Sequence, residues 1–143
     1  MPGNKPLRVY IASKVGLMEP VVRELKAFCE SIGMEFVFDW TEKPVRKPFE
    51  QYKESSHQAA ENMIRTVMEC DILVVLFAEG GIGFHIETGG ALVAGIISSF
   101  VTGRQHKRIY VVGPGNDWSV FYFHNSVTRV EDVETLKLLL REI

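Results

Sequence analysis

Apolar residues in this chain follow two rhythms, short unbroken runs and longer stretches with a spacing of three and four. LRVYIA, residues 7–12, is a continuous apolar and β-branched run between Pro6 and the polar pair Ser13 and Lys14, the mark of a buried strand. From Glu19 to Ile32 the apolar positions Val22, Leu25, Cys29 and Ile32 lie on one helical face, and Gly33 follows as a stop signal. MEFVFDW, residues 34–40, reads as a second strand. The next stretch, TEKPVRKPFEQY, carries two prolines and mixed charge, so it is a long loop. Between Tyr52 and Glu69 the positions Ala60, Met63, Ile64, Val67 and Met68 mark a second helical face, and DILVVLF, residues 71–77, is apolar enough to be covered on both sides of a sheet. A glycine-rich stretch then opens a helix running to about Phe100. KRIYVVG supplies a fourth strand, GPGNDW a loop, VFYF a short edge strand, and EDVETLKLLLREI the last helix.

Strands alternating with helices at this spacing predict a parallel sheet built from right-handed crossovers: an α/β fold, a three-layer α/β/α sandwich of about five strands, flavodoxin-like or Rossmann-like, in one domain spanning residues 1–143. Ligands of such folds bind beyond the carboxyl ends of the strands. The loops SKVG, DWTEKP, AEGGIGFHIE and GPGNDW therefore converge on one crevice.

Composition narrows the partners. A formal charge of −2 on 143 residues gives no footprint for a phosphate backbone, which argues against a nucleic acid polymer. Cys29 and Cys70 are too few and too far apart for a disulfide scaffold or CxxC chemistry, and both read as reduced core residues. The N-terminus lacks the pattern of a signal peptide and no window reaches the roughly 18 apolar residues of a membrane span, so the expectation is a cytoplasmic protein with no membrane partner. His57, His85, His106 and His124 lack ligand spacing, so neither a metal nor a cofactor is expected.

Candidate chemistry concentrates in GGIGFHIETGGALVAG, residues 80–95. Gly81 and Gly83 leave room for backbone amides to approach a phosphate or sugar at the positive end of the following helix, although a plain strand-to-helix turn uses glycine in the same way. The third glycine of a dinucleotide fingerprint is replaced by Ile86, and no P-loop occurs. Glu87 falls within the first turn of the helix, where the dipole stabilises a carboxylate by ~0.3–1 kcal/mol; it is either a working group or a structural charge. The small residues Gly89, Gly90, Ala91, Ala94 and Gly95 let that helix lie close to the sheet and carry Glu87 toward the crevice. His85 is a candidate acid, base or hydrogen-bond donor, or a structural histidine. Asp39 and Trp40 end the second strand, suited to hydrogen-bonding and stacking on a planar base or to capping the core. Tyr122, His124 and Asn125 cluster in YFHN, as site residues or as an interface, and Ser13 and Lys14 complete the rim.

The string CDILVVLFAEGGIGFHIETGGALVAG, with Asp71 opening the strand and then Gly83, Glu87, Gly89 and Ala91, resembles the nucleoside 2-deoxyribosyltransferase-like superfamily. RVYIAS, FDWT, KRIYVVGPG and VFYFHNSV extend the resemblance in order along most of the chain. It implies a flavodoxin-like fold that cleaves or transfers the N-glycosidic bond of nucleosides or their 5′-monophosphates, with Glu87 as nucleophile, the amides of Gly81 and Gly83 holding the sugar or its 5′-phosphate, Ser13 contributing at the first loop, and copies of the chain assembling so that Tyr122 and Asn125 complete a neighbour's site; Lys14 and Trp40, read from position alone, are the further candidates for binding the substrate. The chain departs from the family at Met63, where an aspartate usually stands. Glu61 and Asn62 cannot take its place without a shift of register, since one residue turns the helix by ~100°. Asp39 or His85 is then the expected acid, or the chain binds a nucleotide without turning it over.

Overall fold

The computed structural model describes residues 3–43, 45–103 and 107–143. Five parallel strands form one sheet: β1 (Arg8–Ser13), β2 (Glu35–Phe36), β3 (Ile72–Leu76), β4 (Arg108–Val112) and β5 (Val127–Val130), in the order β2-β1-β3-β4-β5. Tyr10 pairs with Leu73, which pairs with Ile109, so the three central strands stand in step. All five residues of β3 are buried, the outcome its unbroken apolar run predicts.

Four helices cover the sheet: α1 (Glu19–Ser31), α2 (Lys53–Glu69), α3 (Gly83–Thr102) and α4 (Val133–Arg141). On one face α1 and α4 meet through the Lys137–Glu24 ion pair and through Lys137 and Arg141, which stand over the Phe28 ring. On the other, α2 and α3 lie side by side, close enough that a Cβ on Gly90 would sit 3.5 Å from Val67. The result is the three-layer sandwich.

Three local expectations change. The second strand is only two residues long, because Asp39 turns its side chain onto the Thr41 amide and starts a 3-10 turn at Trp40–Glu42. VFYF is a 3-10 turn, not an edge strand, since Ser119 caps it in the same way; the edge strand is VTRV, seven residues later. The third change concerns α3, a helix of 20 residues containing an 18-residue window with a mean hydropathy of 1.4, long and apolar enough to cross a membrane by length and composition. Its single charge, Glu87, and its glycines break every long apolar run, which is why the pattern did not stand out. Here it packs Phe84, Ala91 and Leu92 against the sheet.

Lys107, placed at the start of β4 by sequence, is buried and forms no ion pair among the described residues. Its ammonium donates to the carbonyls of Val67 (2.9 Å), Met68 (3.2 Å) and Cys70, closing the carboxyl end of α2. A cation there meets the orphan carbonyls and the negative end of the helix dipole.

Candidate functional site

The strand order reverses between β1 and β3, and the loops leaving those two strands flank the switch point where α/β folds hold their ligands. From the first loop Lys14 donates to the Glu79 carbonyl at 3.2 Å, tying the two loops together. Gly80 has φ +77°, and a Cβ on Gly81 would fall 2.0 Å from the Phe84 ring, so both glycines are required by the turn itself. The Gly81 amide is committed to the Ala78 carbonyl at 3.2 Å. Gly83 differs. It is the first residue of α3, it opens a helix end with no side-chain cap, and a Cβ there would make only an ordinary 4.0 Å contact with Glu87 Oε1. Its amide belongs to the group that helix geometry leaves without an intrahelical partner, a place where an anion is stabilised.

Glu87 lies in the second turn of α3, past the reach of the dipole invoked from sequence, and only 8% of it is exposed. Burial lifts its carboxyl to about 7, against a downward pull from the Tyr10 hydroxyl on β1. The same burial, and then the charge of Glu87, hold the Tyr10 phenol well above its ordinary value. Glu87 Oε2 is buried without a partner among the described residues, as is Ser13 Oγ. A buried acceptor left unpaired costs about 1–3 kcal/mol, so a ligand donor reaching it removes a standing penalty. Tyr10 went unnoticed in the sequence because it sits inside an apolar run; the signal was a tyrosine in a buried strand, whose hydroxyl must find a partner.

The remaining candidates separate. Asp39 caps Thr41 and pairs with Lys26 at 3.2 Å; burial pushes its pKa up, but the hydrogen bonds from Thr41 and Lys26 outweigh it and hold the carboxyl below its ordinary value. An ionised, capped aspartate has no proton to give. Trp40 is buried and its indole donates to the Ile11 carbonyl at 2.8 Å, so it caps the core and presents no face for stacking. His85 stands two residues before Glu87, about 200° around the helix, and meets the Tyr122 hydroxyl through Nδ1 at 2.7 Å. It faces away from Glu87, and Tyr122, itself buried, is held by that contact. Asn125 immediately precedes the amino end of β5, whose Val127 is level with Ile109, so within its own chain it lies about a strand length (~13 Å) from the crevice. Met63 packs against the core, while Glu61 pairs with Arg65 and Asn62 with Gln58, so nothing on α2 replaces the aspartate.

No metal-holding group of three His, Cys, Asp or Glu occurs among the described residues; His106 lies outside them. Beyond the far flank of α3, between it and residues 118–124, runs an apolar groove of about 990 Å³ that contains His85 and Tyr122 but not Glu87.

No family model matches the chain, and no curated protein does. Among solved structures the CMP N-glycosidase BcmB of Clostridium botulinum is similar over 95% of this chain and 99% of its own, with a TM-score of 0.57 and 16% identity. The fold is shared. With so few identical residues, the likeness extends to architecture and leaves the chemistry to the site.

Proposed function

We propose that the chain cleaves the N-glycosidic bond of a nucleoside 5′-monophosphate, with Glu87 as nucleophile. The observation that carries this reading is the buried Glu87 carboxylate at the crevice, whose Oε2 has no partner among the described residues. The fold shared with a CMP N-glycosidase and the family resemblance of residues 70–95 support it.

In this reading a carboxylate oxygen of Glu87 attacks the anomeric carbon as the carbon–nitrogen bond breaks; the bonding pair leaves with the base, which takes a proton from water. A second water then attacks the same carbon, releases the sugar phosphate and returns Glu87 to its carboxylate, with loss of a proton. The same reading assigns the 5′-phosphate to Lys14 and the Gly83 amide, and a hydroxyl of the sugar to Ser13. Tyr10 is a positioning residue that fixes the carboxylate and favours its ionised form. Transfer to a second base is the variant of this chemistry in which water is kept from the intermediate. The reading also takes the working form as a homo-oligomer.

A second reading has its own observation. With burial raising its carboxyl to about 7 and Met63 where an acid would stand, Glu87 keeps its proton to a higher pH than an ordinary carboxylate and is suited to hydrogen-bonding ribose hydroxyls in a nucleotide-binding module. Incubation with CMP, the other ribonucleoside and deoxyribonucleoside 5′-monophosphates, and the free nucleosides, followed by chromatography for released base, separates the two. The enzyme reading expects free base that disappears in Glu87→Gln; nucleotide binding by thermal shift with no base from any of them overturns it.

A further inference from the structure

A nucleobase that leaves through a neutral ring nitrogen carries off a negative charge unless a proton meets it, and a positioned acid is worth ~10²–10⁴-fold in rate. Each candidate for that acid is committed elsewhere. Asp39 caps Thr41 and pairs with Lys26, which keeps it ionised. His85 stands on the other flank of α3, against Tyr122. On α2 Glu61 pairs with Arg65, and Met63 is packed against the core. Tyr10, on the strand beside Glu87, has a phenol held well above its ordinary value and so keeps its proton.

The carboxylate also lacks a counter-charge. Glu87 is buried, its Oε2 has no partner, and it forms no ion pair among the described residues. Lys14 is turned to the Glu79 carbonyl, and Lys107 closes the far end of α2. A buried charge without a partner is costly, and a cation that reaches it relieves the cost.

We infer that the crevice takes nucleotides whose glycosidic nitrogen belongs to a positively charged ring, a pyridinium or a purine alkylated at N7. One charge answers both observations, since it pairs with the buried carboxylate and makes the acid unnecessary. As a Glu87 oxygen bonds to the anomeric carbon, the pair of the breaking carbon–nitrogen bond returns to the ring and cancels its charge, so the base leaves neutral. Water then attacks the same carbon, giving the sugar phosphate, the Glu87 carboxylate and one proton. The inference rests on the N-glycosidase reading above and narrows its substrate.

Two cationic nucleotides, each with a neutral counterpart, test it: nicotinamide mononucleotide against its reduced form, and N7-methylguanosine 5′-monophosphate against GMP, with released base measured by chromatography. The expected kcat/KM of a cationic member exceeds that of its counterpart by about 100-fold or more, and is lost in Glu87→Gln. Cleavage of one cationic member and not the other supports the inference and selects the ring. With nicotinamide mononucleotide the pH profile should rise through about 7, as Glu87 ionises, to a plateau with no falling limb. Neutral members cleaved within about tenfold of the cationic ones, or a falling alkaline limb, overturn the inference and leave the N-glycosidase reading standing. Nucleotides that raise the melting temperature while none, cationic or neutral, releases base overturn both.

Discussion

Substituting Glu87 by glutamine is expected to stabilise the protein, and only at neutral and alkaline pH. In the folded chain burial holds the carboxyl at about 7, against an ordinary value of 4.5 in the unfolded chain. A raised carboxyl pKa means that the folded state keeps its proton longer than the unfolded state does. Stability is therefore undiminished below pH 4.5, falls as pH rises from there to about 7, and is level above. The full difference corresponds to roughly 3 kcal/mol. Glutamine is neutral throughout and escapes that loss. Melting curves of both proteins between pH 4.5 and 8.5 should nearly coincide at the acid end and separate by roughly 10 °C at the alkaline end, the variant higher, on the usual scaling for a chain of this length. A separation that does not change with pH, or a variant that melts lower at pH 8.5, refutes a buried, unpaired carboxylate. Base release should run the other way, its kcat/KM rising through a pH near 7 as the nucleophile ionises.

Tyr10→Phe removes the hydroxyl that favours the Glu87 carboxylate, so the midpoint of that pH-dependent melting difference should move up by about one pH unit, measured against Tyr10→Phe combined with Glu87→Gln. Gly115→Ala places a methyl 1.9 Å from a carbon of the Phe77 ring and should lower stability by about 1–3 kcal/mol in urea unfolding, with the spectrum of the folded state kept. Lys107→Met leaves the Val67 and Cys70 carbonyls buried without their donor; a loss of about 2–4 kcal/mol in the same assay is expected, together with faster amide exchange in the last turn of α2.

The sandwich was legible because its long elements carry the strongest periodicities: the unbroken run of β3 and the seven-residue steps of α1 and α2. What failed was short and polar. Asp39 and Ser119 each accept a backbone amide two residues on and curl an apolar run into a 3-10 turn, a contest between side chain and ladder that alternation alone does not register. Glu87 stood out as a candidate from its small neighbours, but its depth did not, because burial depends on where α3 begins, and a start at Gly83 puts Glu87 in the second turn and not the first. Trp40 and Asp39 resembled ligand-binding groups by position at a strand end; their partners, the Ile11 carbonyl and Lys26, lie 29 and 13 residues away and could only be seen in three dimensions. Tyr10 is the opposite case, a neighbour of the Glu87 carboxylate concealed by an apolar run.

The link from β4 to β5 makes its crossing with four residues of 3-10 turn where the other crossings of this sheet use helices of 13, 17 and 20 residues. A full helix there would lie against the flank of α3 and finish the outer layer from within the same chain. By leaving it out, the connection leaves Val93 and Phe100 exposed on the outer side of α3, so the length of one link sets how much of that apolar helix meets solvent.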